Sequence, residues 1–310
     1  MGNRELLVSV VIPTHNRKEK LKRLIKSVEE SVFKKIEIVV VDDASTDGTC
    51  EELKKIFPNV KIIRNKGKRL VSASRNIGIR NSDGDFIFFV DDDNVIDKHC
   101  ISKLTEMLFS HAEVGVVAPL MYYYSHPNTI WCAGIRRNLI TSRTTTIGNG
   151  EIDHGQFNEI MESDDFPNAF MVRSEITKEE GVLFDAINFP WMYEEADFIT
   201  KIRKKGWKVV LVPTAKLWHD IPKELFFMGR YTNLKAYYLG RNRVLFHKKY
   251  SERYEFSIFA TFFLPIFTLA YILLVLQHWI LRGKFLSSIK ISKSYIKGTL
   301  DGFKRSKKLT

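Results

Sequence analysis

Four short, almost wholly apolar runs recur through the first ninety residues: Leu6–Pro13, Ile36–Val41, Val60–Ile63 and Phe86–Val90. Runs this short and this rich in Val, Ile and Phe read as strands buried on both faces, which is the signature of a parallel sheet. The stretches between them carry helical spacing. Lys18–Phe33 has Leu21, Leu24, Ile25 and Val28 on one face. Asp47 stands where a cap is expected for a helix running to Phe57, with Glu51 and Glu52 in its first turns, and Ser72–Asn81 reads as a third helix. Strand–helix alternation at this spacing implies an α/β fold with a mainly parallel sheet flanked by helices and right-handed crossovers. Further strands are expected at Val114–Leu120, Ala169–Val172 and Trp207–Val212, the last stopped by Pro213, and a helix at Glu195–Lys205. Residues 122–165 show no clear period and read as loops and a hairpin.

Ligands of such sheets bind beyond the carboxyl ends of the strands. Asp42 and Asp43 close one run and Asp91, Asp92 and Asp93 another, so five carboxylates gather where a ligand is expected. Three adjacent aspartates repel one another unless a cation lies among them, and a hard divalent ion with oxygen ligands both relieves that repulsion and neutralises a diphosphate. A solvated acidic loop is the plainer alternative. Asp42 and Asp43 suit hydrogen bonds to a ribose or base edge, or simply cap a turn. Arg75 suits either a nucleotide contact or a structural ion pair. Glu194, Glu195 and Asp197 form a second acidic group after the apolar Pro190–Tyr193, where a raised carboxyl pKa favours a general base; favourable charge at a helix start is the competing account. His219 is either a metal or diphosphate contact or a packed side chain. The sequence has no glycine-rich phosphate cradle of the Gly-x-Gly-x-x-Gly or Walker type.

The formal charge of +12 suggests nucleic acid until its distribution is examined. Residues 221–310 hold 17 Lys+Arg against 4 Asp+Glu, leaving 31 against 32 for residues 1–220. Phe256–Leu281 contains no Asp, Glu, Lys or Arg, and its 26 residues exceed the roughly 20 needed to cross a bilayer. A basic region beside such a run points to anionic lipid rather than nucleic acid. Residues 282–310 carry nine Lys+Arg and one Asp, so a single crossing conflicts with the positive-inside tendency for a cytoplasmic body; a re-entrant or in-plane segment is expected. Three cysteines without metal-site spacing indicate a reducing compartment. The implied division is a body at 1–220 and a membrane-associating helical region at 221–310.

Taken in order, VSVVIPTHNR (Val8–Arg17), VVVDDASTDGT (Val39–Thr49), SASRNIGI (Ser72–Ile79), FFVDDDN (Phe88–Asn94), EEGVLFD (Glu179–Asp185), YEEADF (Tyr193–Phe198) and GWKVVLVPTAKLWH (Gly206–His219) resemble glycosyltransferase family 2, which has the GT-A fold. The resemblance implies a nucleotide-sugar donor (UDP-, GDP- or dTDP-linked) bound by Pro13, Asp42, Asp43, Arg75, Asp91 and Asp92. It implies Mg²⁺ or Mn²⁺ held near Asp93, Asp91 and His219. It implies an inverting displacement with Glu195 as base, or its neighbours Glu194 and Asp197, since the family's usual Glu-Asp pair is Glu-Glu here. YYLGRNRVLFHKKY (Tyr237–Tyr250) and KGTLDGFKRSKK (Lys297–Lys308) resemble segments of members that act at membranes on polysaccharide or lipid-linked acceptors. A sugar nucleotidyltransferase, a non-catalytic nucleotide-binding adaptor at a membrane and a nucleic-acid binder are the rival readings. Release of pyrophosphate, nucleotide binding without transfer, and steeply salt-dependent DNA affinity, respectively, identify them.

Overall fold

A computed structural model of the chain describes residues 6–221, 232–280 and 283–306. Its strands and helices collect into two units: residues 1–136, 146–186 and 194–223, and residues 137–145, 187–193 and 224–310. Two short segments, residues 137–145 and 187–193, fall with residues 224–310.

The first unit is built on a ten-stranded sheet. Strands β1 (Val8–Thr14), β2 (Ile36–Asp42), β3 (Lys61–Arg64) and β4 (Phe86–Val90) alternate with helices α1 (Lys18–Glu29), α2 (Thr49–Ile56) and α3 (Val71–Arg80). β1 pairs in parallel with β2 and β4, and β2 with β3, so these strands end at one edge of the sheet. The expected helical face of α1 is buried through Leu21, Leu24, Ile25 and Val28. α2 departs from expectation at its start: Gly48 (φ 80°) is the cap residue, and Asp47 accepts a hydrogen bond from the Thr49 N–H at 3.2 Å. α3 lies hard against β1, because a Cβ on Gly78 would meet Val11 Cγ1 at 2.2 Å. That close approach sets the depth of Arg75 on the same helix.

After β5 (Asn94–Ile96) and α4 (Cys100–Ser110) come β6 (Val114–Tyr123), β7 (His126–Cys132), the short hairpin β8 (Ile135–Arg137) and β9 (Thr144–Thr146), β10 (Met161–Glu162), β11 (Ala169–Arg173), α5 (Ser174–Lys178), α6 (Glu194–Lys204) and β12 (Lys208–His219). β11 runs antiparallel to both β4 and β6, and β12 parallel to β6. Two reversals restore direction, so the C-terminal end of β12 and the N-terminal end of β11 both reach the edge where β1, β2 and β4 finish. Pro213 does not stop β12. The ladder with β6 slips between Val212 and Lys216, taking Pro213 out of the pairing, and resumes to His219.

The second unit is helical. α7 (Asn233–Tyr250) is followed by α8 (Arg253–Ile258), a π-helical turn at Phe259–Phe263, α9 (Leu264–Ile280) and α10 (Phe285–Ser306). Arg253–Ile280 is, among the described residues, the one helix long and apolar enough to cross a membrane, with mean hydropathy 2.4, and only 17% of its most apolar window is buried. Beyond Ile280, Gly283 has φ 67° and the Lys284 N–H bonds to the Trp279 carbonyl at 2.8 Å. α10 then returns along α9, with Ile291 beside Val275 and Tyr295 stacked on Tyr271 at 4.1 Å. Residues 307–310, the end of the basic tail, lie outside the described ones.

α10 meets α7 backbone to backbone. A Cβ on Gly298 would sit 2.0 Å from the Tyr237 carbonyl oxygen, which has nowhere to yield. Gly298→Ala is therefore expected to cost about 3 kcal/mol, the upper end of overpacking penalties. Thermal melts of the purified variant should show the loss; an unchanged melting temperature refutes the close packing.

The C-terminal unit also carries backbone strain. Met192 and Tyr193 both have positive φ, 64° and 67°, in a region costly for large side chains. The Asn242 amide on α7 donates to the Trp191 and Met192 carbonyls at 2.9 and 2.7 Å and holds this turn. His247 fastens the 137–145 segment. Its Nδ1 lies 2.9 Å from the Leu139 carbonyl, an acceptor only, and burial pushes its pKa down to about 4. The neutral ring therefore carries its proton on Nδ1, and Nε2 accepts from the Ser142 hydroxyl at 2.8 Å.

Candidate active site

The edge where the strands of the first unit converge holds one connected polar network. Its centre is Arg75, a wholly buried guanidinium on α3. Arg75 Nη2 donates to Asp91 Oδ1 at 2.7 Å and to Glu195 Oε1 at 2.8 Å. Glu194 Oε1 lies 3.8 Å from Nη1. Asp91 after β4 and the glutamates at the start of α6, about a hundred residues apart, therefore meet on one cation.

Asn168 closes this arrangement. It has a positive φ of 73°, which Asn tolerates better than most side chains. Its N–H donates to Glu195 Oε1 at 2.8 Å, and its carbonyl accepts from the Asp91 N–H at 3.1 Å. Its amide exchanges two hydrogen bonds with Asn94, at 2.7 and 2.9 Å. One Glu195 oxygen is thus held twice from the protein side. Glu195 Oε2 has no hydrogen-bond partner among the described residues.

Burial pushes the Glu194 carboxyl up to about 8, with Glu195 adding to the effect and Arg75 opposing it. Glu195 is raised as well, by burial, but Arg75 and the Asn168 N–H oppose that directly. At neutral pH Glu194 holds its proton, while the two donors on Glu195 Oε1 favour the charged form of that group. Asp197 stands apart. It lies about 200° around the helix from Glu195, and its buried carboxylate pairs with Lys201 at 2.7 Å. It is a helix-face ion pair, not a member of the Arg75 network.

The proton on Glu194 has a stability consequence. Its folded pKa is above the ordinary 4.5, so the unfolded chain releases this proton first and folding stability falls as pH rises from 4.5 to 8. Glu194→Gln removes that loss. The melting-temperature difference between variant and wild type should shift in favour of the variant across this window; a pH-independent difference refutes the assignment.

On the other side of Asp91, Asp92 and Asp93 are buried and differ sharply. Burial pushes Asp92 up to about 7, opposed by Arg17 and reinforced by Asp93. The Thr14 hydroxyl donates to its Oδ2 at 2.7 Å. Burial would raise Asp93 too, but the His219 imidazole and Arg17 outweigh it and hold the carboxyl at about 2. His219 Nε2 is 3.2 Å from Asp93 Oδ1, and Arg17 Nη1 is 2.8 Å from Oδ2. His219 packs edge-on against Trp131, with centroids 4.4 Å apart.

Asp42 and Asp43 divide their work. Asp42 is fully buried and accepts from the Ser45 N–H at 2.9 Å and the Cys50 thiol at 2.9 Å. It caps the turn after β2. Asp43 accepts from Asn65 Nδ2, Arg69 N and Leu70 N at 2.8, 2.7 and 2.9 Å. It fixes the loop that enters α3 through Leu70, itself at φ 69°. Pro13 is partly exposed beside it, aligned with Val41. Arg17, Thr14, Asn94 and Asn168 are members of the site that sequence reading did not single out.

The donor set suits a hard divalent ion in kind, since Asp91 and Asp93 offer oxygens and Asp91 is one-third exposed. Among the described residues no three His, Cys, Asp or Glu side chains converge as a cage.

Residues 9–173, more than half of the chain, match the model of Glycosyl transferase family 2. The chain belongs to this family. A GalNAc(5)-diNAcBac-PP-undecaprenol beta-1,3-glucosyltransferase of Campylobacter jejuni subsp. jejuni serotype O:2 is 34% identical over 103 residues, 32% of this chain and 33% of that one. The chain spans between 16% and 44% of the length of the curated relatives it matches. Among solved structures, GalNAc-T7 with UDP, GalNAc and Mn²⁺ superposes with TM-score 0.65 at 19% identity, covering 84% of this chain and 51% of that one. Staphylococcus aureus TarS 1-349 with UDP-GlcNAc gives 0.56 at 17% identity, covering 94% and 92%. These family 2 residues therefore sit on the GT-A-type α/β fold.

Proposed function

We propose that this family 2 protein transfers a sugar from a nucleotide diphosphate donor to a glycan or lipid-linked acceptor hydroxyl, with inversion, at a membrane surface. The observation that carries the reading is the shared guanidinium: Asp91 and Glu195 lie 2.7 and 2.8 Å from the same Arg75 nitrogen. Diphosphate-side and base-side carboxylates thus line one site.

In this reading the free oxygen of Glu195 takes the proton from the acceptor hydroxyl as that oxygen attacks the anomeric carbon. Arg75 and the Asn168 N–H hold the carboxylate still and keep its charge stabilised, so little reorganisation accompanies the proton transfer. Protonated Glu194 keeps a second negative charge from forming beside it. Asp91 and Asp93, with His219 behind Asp93, would hold Mg²⁺ or Mn²⁺, which when bound neutralises charge on the departing diphosphate. Asp43 and Pro13 shape the floor for the nucleoside.

Thermal protection by a panel of UDP-, GDP- and dTDP-sugars, with and without Mn²⁺, tests the donor class. A ligand at 100 times its Kd adds about 2.7 kcal/mol of stability. No shift with any of them sinks the reading. Pyrophosphate released during turnover would point to nucleotidyl transfer instead.

Membrane association is supported by the exposed apolar face of the 253–280 helix, which includes Phe262, Ile266, Leu269 and Leu273; in this reading the catalytic unit faces the cytoplasm. The return of α10 along α9 favours the re-entrant or in-plane arrangement, because both flanks then stay on one side. Leu269→Asp with Leu273→Asp should move the protein from the membrane to the soluble fraction without lowering its melting temperature. Unchanged partitioning rules out anchoring by this face.

A further inference from the structure

Two arginines reach the aspartate cluster, and they are held in different ways. Arg75 is fully enclosed, and its bonds to Asp91 and Glu195 tie together two distant parts of the chain. Arg17 follows β1 with half of its side chain in solvent. A single nitrogen of Arg17 bridges Asp92 Oδ1 at 3.0 Å and Asp93 Oδ2 at 2.8 Å.

The consequence for Asp93 is occupancy. Arg17 engages one of its oxygens and His219 the other. Asp92 is engaged likewise, by Arg17 and by the Thr14 hydroxyl. A cation approaching Asp93 therefore meets a donor on each of its oxygens and is opposed by the positive charge of the Arg17 guanidinium. Thr14 and His219 sit within strands β1 and β12 and are nearly buried. Arg17 alone combines a long flexible stem with an open path to water. Its departure leaves buried carboxylates uncompensated unless another positive charge arrives in the same event.

We propose that Arg17 is the resident counter-cation of the Asp92–Asp93 pair, and that a divalent ion and the nucleotide diphosphate displace it together. The inference rests on the metal-assisted reading given above. Free metal binds weakly because it competes with a covalently tethered guanidinium. The diphosphate changes the balance twice: its oxygens complete the ion's coordination, and its remaining charge gives the displaced guanidinium a bidentate partner. Metal and donor then bind cooperatively, and the tethered arginine is the source of the coupling.

The test is a Mn²⁺ titration followed by electron paramagnetic resonance on the full-length wild type, Arg17→Gln and Arg17→Lys, each alone and with UDP, GDP or dTDP. Arg17→Gln should bind Mn²⁺ alone at least tenfold more tightly than wild type, and nucleotide should improve its Mn²⁺ affinity by a smaller factor. Arg17→Lys keeps the tethered charge and should stay close to wild type. If nucleotide recruits Mn²⁺ to the wild type but Arg17→Gln binds the free ion no better, or worse, the counter-cation role is overturned and the metal reading stands. The role is also overturned if Arg17→Lys tightens as much as Arg17→Gln. If no nucleotide brings Mn²⁺ to any of the three proteins, the metal reading itself falls.

Discussion

Glu195→Gln should lower turnover by roughly 10²–10⁴, the range general-base catalysis supplies, while leaving donor affinity within about threefold. The amide oxygen of Gln still accepts from Arg75 and from the Asn168 N–H, so both bonds that position the side chain survive. What is lost is the carboxylate basicity on which the proposed proton transfer depends. The signature is a fall in kcat with KM for the donor little changed, together with an unchanged melting temperature. Glu194→Gln is the necessary control. With its proton held up to a pKa of about 8, Glu194 is already neutral in the working range, and an amide there should leave most of the turnover intact. If Glu194→Gln is the crippled variant and Glu195→Gln the mild one, the assignment of the base is reversed.

Arg75→Met should be the most destabilising single change in the first unit. It removes a fully buried cation that Asp91, Glu194 and Glu195 all face, and leaves buried carboxylates without compensation. Breaking a buried ion pair from one side costs about 3–5 kcal/mol, which for a chain of this size lowers the melting temperature by roughly 10 °C. Arg75→Lys should recover little, because one ammonium cannot reproduce the fork that reaches Asp91 and Glu195 together. Adding Glu195→Gln to Arg75→Met removes the carboxylate that Arg75 contacts most directly on α6 and should return part of the loss. A double-mutant cycle by thermal or urea denaturation measures this coupling, and strict additivity would show that the two side chains do not interact.

The sequence was readable where structure is local and periodic. Phe86–Val90 is a strand with the expected bounds, and the apolar face of α1 is the one its spacing specifies. Parallel strands buried on both faces announce themselves as continuous apolar runs, and the aspartates that end them fall at the ligand edge for topological reasons. Asp197 was decidable in principle, since helical periodicity alone turns it away from Glu195. Asp42 was not, because its burial depends on Ser45 and Cys50 folding over it. The opposite shifts of Asp92 and Asp93 were equally hidden. Neighbours in sequence, they are separated chemically by Thr14, Arg17 and His219, which arrive from distant parts of the chain. Segments 137–145 and 187–193 carry no periodic mark of belonging to the C-terminal unit; that membership rests on hydrogen bonds from His247 and Asn242.

The slip in β12 around Pro213–Ala215 sets where this chain tolerates changes in length. Those residues stand outside the β6 ladder, so one more or one fewer there leaves the pairing on either side in register. Between Lys216 and His219 every position is paired, and side chains alternate between faces. Deleting a single residue in that tract would turn the imidazole to the opposite side of the sheet, roughly 10 Å from Asp93 once the sheet's thickness with its side chains is counted. Natural insertions and deletions in related chains should accordingly cluster before Lys216 and vanish after it.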